Sequence, residues 1–156
     1  MKKLEYSTAI DATPEEVWHA MLDQDTYQQW TTPFGEGGHY EGGWNKGDKI
    51  LFLGPEGETG SEGEGMVSEI AESRPHEFVS IRHLGIVKDG VEDTESEEAR
   101  KWAPAYENYT FTSRDGGTLL DVSVETTEEA AEWMDNAWPK ALAKLKEVAE
   151  SSVART

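Results

Sequence analysis

Apolar and polar positions alternate along LEYSTAI near the start of the chain. Leu4, Tyr6, Thr8 and Ile10 fall on one face, with Glu5, Ser7 and Ala9 on the other. That period of two predicts a strand buried on one side. The rhythm changes at DATPEEVWHAML. Thr13 stands as N-cap, Pro14 takes the first helical position and Glu16 the third, the pattern of a capping box. Val17, Trp18, Met21 and Leu22 then form the apolar face of a short helix. DQDTYQQW extends the helical pattern by a further turn or two, anchored by Tyr27 and Trp30.

TTPFGEGGHYEGGWNKG, residues 31–47, is glycine-rich and reads as loop, with a short strand around His39 to Glu41. DKILFLG predicts a strand with Ile50 and Phe52 on one face and Leu51 and Leu53 on the other. PEGETGSEG is a polar, acidic turn. EGMVSEIAES and, after the Arg74-Pro75 break, HEFVSIRHLG both alternate, and are expected to pair as antiparallel neighbours. GIVKDGVEDTESEEARKWAP, residues 85–104, is long and acidic, with one helical turn at ESEEARKW; loops of this length in a compact domain are usually functional or mobile. AYENYTFTSRDGGTLLDVSVET is the clearest hairpin, turning at Asp115-Gly116-Gly117.

The closing segment returns to helical spacing, through Ala130, Met134, Ala137, Trp138, Ala141, Leu142, Leu145, Val148 and Ala149. Glu128 and Glu129 open it, and Lys140, Lys144 and Lys146 follow, which complements the helix dipole. Pro139 lacks a backbone donor and is expected to kink this helix or to mark its true start. The order is strand, short helices, six strands, long helix. Short turns between strands favour an antiparallel sheet, and segregated helices favour an α+β fold, the sheet bending around the last helix. No repeat or linker divides the chain, so residues 1–156 are expected to form a single domain.

Composition narrows the function. With 32 acids against 14 bases, the formal charge is -18. That disfavours nucleic acid and anionic membranes as partners. Cysteine is absent, which excludes disulfides, thiolate nucleophiles and cysteine-ligated metals. No run approaches the roughly 18 apolar residues of a membrane span, and the expectation is a soluble cytoplasmic protein.

ATPEEVWHAMLDQDTYQQW, the GD before KILF, GMVSEI followed by RPHEFVSIRH, YTFTSRDGGTLLDVSV and the tryptophan-rich ending WMDNAWPKALAKLKEVAE occur in an order that resembles the START-like, or SRPBCC, superfamily. More narrowly, the chain is similar to the bacterial single-domain branch named after the activator of Hsp90 ATPase. The likeness covers nearly the whole chain. It implies a helix-grip fold, a curved antiparallel sheet wrapped around a long C-terminal helix with two short helices after the first strand. It also implies a cavity for a hydrophobic or amphipathic small molecule between helix and sheet. Some branches of the superfamily are cyclases or other enzymes, others carriers or receptors, and the eukaryotic namesake is a cochaperone domain; fold alone does not choose among them.

Strand alternation suggests what faces such a cavity. His83 shares a face with Val79 and Ile81, and Glu107 with Tyr109 and Phe111. A histidine and a carboxylate on apolar faces are the weak candidates for general acid and base. The competing and weightier reading has His83 bonded to the 85–104 loop and Glu107 at the cavity rim or paired with an arginine. His19, His39 and His76 are scattered without metal-site spacing, and DGVEDTESEE lacks the pattern of a calcium loop, so no metal is expected. Ser61, Ser68, Ser80 and Ser123 lack a nucleophile-elbow context. GEGGHYEGG is not followed by a helix start, so no phosphate cradle is expected, and no cofactor is implied.

The aromatic residues are the most informative set. Trp30, Phe34, Trp44, Phe52, Ile81, His83, Trp102, Tyr109, Met134 and Trp138 are the expected ligand-binding residues. Met134 to Trp138 would face the cavity, Leu142, Leu145 and Val148 the solid core, and the 85–104 loop ending at Trp102 would serve as a gate. The function expected is noncatalytic binding of an apolar or aromatic small molecule. Two alternatives stand beside it: a chaperone-interacting module whose acidic face meets a basic partner, and a cyclase- or hydrolase-like enzyme using His83 and Glu107. Both monomer and homodimer are compatible with the sequence.

Overall fold

The structure, a computed structural model, describes residues 2–34, 39–53, 65–88 and 91–154. The polar turn at 55–63 and the GEGG stretch at 35–38 lie outside the described residues. Eight strands form one antiparallel sheet: β1 Lys2–Ile10, β2 His39–Gly42, β3 Lys49–Leu53, β4 Gly65–Arg74, β5 Phe78–Lys88, β6 Val91–Asp93, β7 Ala105–Arg114 and β8 Gly117–Thr126. Their order across the sheet is β1-β8-β7-β5-β4-β3-β2, with β6 paired to β5 off that path. The helices are α1 Pro14–Leu22, α2 Gln24–Trp30, α3 Glu97–Trp102 and the 27-residue α4 Glu128–Ala154, with a 3-10 turn over Thr32–Phe34. This is the α+β arrangement expected, with two short helices after the first strand and a long helix last.

Local chemistry accounts for the element starts. The Glu16 amide donates to Thr13 Oγ1 at 3.2 Å, while the Thr13 amide donates to Glu16 Oε1 at 3.0 Å. Two amides at the α1 terminus are thereby satisfied reciprocally, which contributes about 1 kcal/mol. The β7–β8 hairpin turns through Asp115 and Gly116, both at positive φ (50° and 81°), a conformation that glycine and aspartate tolerate best.

The core lies between the inner face of the sheet and α4. Ile10, Ile50, Ile81, Leu120 and Val122 from the strands meet Trp138, Ala141, Leu142 and Leu145 from α4. Leu145 is fully buried. The α4 stripe recurs every three to four residues, so one helical face carries almost all of its apolar contacts.

Two expectations are corrected. α4 runs unbroken from Glu128 with Pro139 in its interior, so the proline does not mark the helix start. The stretch 85–104 is not an irregular loop: β5 continues to Lys88, β6 folds back along it, and α3, capped by Ser96 Oγ accepting from the Ala99 amide, buries Ala99. The side chain of Trp102 lies outside the described residues, as does that of Phe34.

Candidate functional site

Two cross-strand registers assemble the polar centre of the molecule. Between β4 and β5 the pairing shifts: Ser68 faces His83, yet the preceding Val67 faces Gly85, leaving Leu84 as an extra residue. This bulge keeps Ser68 and His83 side by side on the inner face. Between β5 and β7, Ile81 pairs with Glu107 and His83 with Ala105. His83 and Glu107 thus sit diagonally across the strand pair, within reach of each other.

The result is a hydrogen-bonded chain. Ser68 Oγ lies 2.7 Å from His83 Nδ1, His83 Nε2 lies 3.1 Å from Glu107 Oε1, and the Tyr109 hydroxyl donates to Glu107 Oε2. A neutral imidazole satisfies every link: the Ser68 hydroxyl donates to Nδ1, and Nε2–H donates to the carboxylate. Ser68 is wholly buried, and the His83 side chain is 10% exposed and that of Glu107 19%. Among the described residues, His83 makes no bond to the 85–104 segment and Glu107 pairs with no arginine. The arginine of β5, Arg82, pairs instead with Glu69 at 2.6 Å.

Beside this chain stands an aromatic wall. The His83 ring meets Phe52 edge-on at 6.0 Å between centroids. Phe52 neighbours Trp44 at 5.9 Å and Tyr27 at 6.3 Å, and Tyr40 lies between those two at 5.2 Å and 5.1 Å. All four of Tyr27, Tyr40, Trp44 and Phe52 are half-buried, packed against the core from its edge. The Tyr40 hydroxyl donates to the Leu22 carbonyl at 2.5 Å. The Trp44 indole Nε1 is buried with no hydrogen-bond partner among the described residues. Burial pushes the Tyr27 phenol well above the usual tyrosine range, and the Glu107 carboxylate and Tyr40 add to the rise.

The expected ligand-binding residues divide into two groups. Trp44, Phe52, His83 and Tyr109 gather around the chain of polar groups, with Ile81 fully buried beside them. Trp30 and Trp138 belong to the packed core: the Trp30 indole donates to the Met21 carbonyl at 3.0 Å, and Trp138 lies within about 6 Å of the rings of Tyr6, Trp30 and Tyr109. Met134 is half-buried at their edge. Sequence reasoning missed Ser68, Tyr27 and Tyr40. Ser68 shares the inner side of its strand with Ile70, and that alternation was the available signal. Clefts of about 510 Å³ and 520 Å³ lie elsewhere, one by the β7–β8 turn and Lys146, the other between α2 and the end of α4.

The sheet gripping a long C-terminal helix defines a helix-grip protein. Residues 11–150 match the family described as Activator of Hsp90 ATPase homolog 1-like protein, and the chain belongs to that family. No curated protein is significantly similar to it. Among solved structures, protein CV1439 from Chromobacterium violaceum is 19% identical, with a TM-score of 0.68 and coverage of 95% of this chain and 96% of that one. The Aha1 dimer from Colwellia psychrerythraea is 18% identical, with a TM-score of 0.68 and coverage of 96% and 97%. DynU16, of the dynemicin biosynthetic locus, is 16% identical, with a TM-score of 0.68 over 97% of this chain and 48% of that one. At these identities the likeness is one of fold. Among the described residues, no helix is long and apolar enough to cross a membrane.

Proposed function

We propose that this protein binds a neutral aromatic or apolar small molecule bearing a hydrogen-bond acceptor, held against the wall of Tyr27, Tyr40, Trp44 and Phe52. The observation that carries this reading is the buried indole N–H of Trp44 within that wall, which has no hydrogen-bond partner among the described residues. A buried donor without a partner costs about 1–3 kcal/mol, which an acceptor on a ligand would recover. The Tyr27 hydroxyl, which makes no hydrogen bond to any described residue, offers a second donor on the other side of Tyr40. The nearby Glu107 carboxylate disfavours an anionic ligand. The family's helix-grip fold, and its occurrence in a protein of the dynemicin locus, accord with a small-molecule role.

Binding is favoured over catalysis by the state of the polar chain. Both nitrogens of His83 and both oxygens of Glu107 are already engaged, and Ser68 Oγ is sealed from solvent. His83, with Nδ1 accepting from Ser68 and Nε2–H donating to Glu107, has no lone pair free to serve as a general base. Here the chain fixes the sheet behind the aromatic wall.

Prodan, a neutral aromatic ketone whose emission shifts blue on desolvation, tests the reading. Saturable binding of one equivalent is expected. Tyr27→Phe keeps its ring and removes one donor, and should weaken binding about fivefold, the equivalent of about 1 kcal/mol; Trp44→Phe removes the indole donor and part of the aromatic face, and should weaken it by at least as much. Absence of saturable binding, together with native mass spectrometry releasing no small molecule from protein purified from cells, would overturn the proposal.

A further inference from the structure

A second cluster lies away from the aromatic wall, where α1 meets the turn between β4 and β5. Glu15 and His19 are four residues apart on α1 and share one face of the helix. His76 comes from the turn Arg74-Pro75-His76-Glu77, closed by the Glu77 amide donating to the Arg74 carbonyl at 2.9 Å. His76 has φ of 68°, the left-handed region that few side chains adopt readily. Its ring meets the edge of Trp18 at 6.0 Å and lies 6.0 Å from the ring of His19.

One ligand atom from each of Glu15, His19 and His76 falls within 4.8 Å of the other two. From these residues we infer a binding site for a divalent transition ion of the zinc class, with two imidazoles and one carboxylate as ligands and the remaining position left to water. Ligand atoms in a tetrahedral zinc site stand roughly 3.3 Å apart, given metal–ligand distances of about 2.0–2.1 Å. Small side-chain rotations close that difference, because Glu15 and His19 are exposed and His76 half-buried. Two imidazoles select this class of ion over calcium or magnesium, which take oxygen ligands.

The surroundings are those of a metal site. Asp23 Oδ1 lies 3.3 Å from His19 Nδ1. In the neutral tautomer Nδ1–H donates to Asp23, which leaves the other ring nitrogen with its lone pair, the carboxylate–histidine pairing that orients metal ligands. The charges also balance: Glu15 and Asp23 together offset a divalent cation. The ion would clamp the first helix to a turn more than fifty residues further along the chain. Spacing rules applied to the sequence pointed away from a metal because no two histidines stand at helical separation; the third ligand arrives through the fold.

Isothermal titration of metal-stripped protein with zinc chloride at neutral pH tests the inference, alongside thermal unfolding with and without zinc. One equivalent should bind, and zinc should raise Tm. Asp23→Asn should weaken zinc binding about tenfold. His19→Gln and His76→Asn should weaken it further and abolish the Tm increase; asparagine at 76 tolerates the left-handed backbone and preserves the turn. Cobalt in place of zinc should give the visible absorption of a low-coordinate site in the parent and not in either histidine variant. If the histidine variants bind zinc as the parent does, the ion is held by diffuse acidic surface and the inference fails. It fails equally if the parent gives no saturable heat.

Discussion

His83 Nε2 and Glu107 Oε1 lie 3.1 Å apart on neighbouring strands, 24 residues separated in sequence. Neither side chain has a charged partner other than the other among the described residues. The carboxylate also accepts from Tyr109, so it is the junction of the buried polar chain. Glu107→Ala leaves both an imidazole N–H and a phenol without acceptors, at an expected cost of about 2–4 kcal/mol. Glu107→Gln should cost much less. Its amide can donate to His83 Nε2 and accept from Tyr109, provided the imidazole proton moves to Nδ1 and bonds Ser68. Urea unfolding of both variants measures the difference, and similar losses would argue against the tautomer exchange.

Tyr27 predicts an alkaline limb in stability. Its phenol is raised above the ordinary 10.0 by burial first, then by the Glu107 charge and Tyr40. The folded state therefore holds this proton where the unfolded chain releases it. The resulting contribution is fully present below about pH 10 and declines as pH rises through the window above it. Tyr27→Phe should flatten that limb, leaving stability at neutral pH nearly unchanged apart from packing. Urea midpoints collected from neutral to strongly alkaline pH give the comparison; parallel curves would contradict the assignment.

Gly85 sits where β6 crosses back along β5. A Cβ there would lie 2.1 Å from the Asp93 carbonyl oxygen and 2.9 Å from Thr94 Cα, both backbone atoms. Gly85→Ala should push β6 away from β5 and destabilise the protein by about 1–3 kcal/mol. Faster amide exchange over Val91–Asp93, with α1 protection retained, is the expected signature.

How far the sequence could be read depended on the range of each interaction. The α1 capping box uses residues three apart, and the β7–β8 hairpin a contiguous turn, so both were legible. The faces of His83 and Glu107 were legible from alternation, but their contact follows from the β5–β7 register, which no local pattern encodes. Ser68 was passed over because its meeting with His83 depends on the extra residue Leu84 in β5. β6 escaped notice because three residues are too few to show a period, and its acidic composition resembles loop. Pro139 lies inside α4 and not at its start. Its missing donor affects one hydrogen bond, while the stripe from Ala131 to Ala149 continues to bury α4 on both sides of it.

The place of β1 bears on how the chain is made. It ends the path of strands, and its partner there is β8, with Ile10 opposite Thr118 and Lys2 opposite Thr126. During synthesis the first strand leaves the ribosome long before its partner exists. It must wait, edge unsatisfied, until the more than one hundred residues between Ile10 and Thr118 have been translated. Closure of the sheet is thus a late, long-range event, the kind that slows folding and exposes nascent chains to mispairing. The two lysines and the glutamate within LYS-LYS-LEU-GLU at its start are the charged residues that discourage a waiting edge from pairing with another chain.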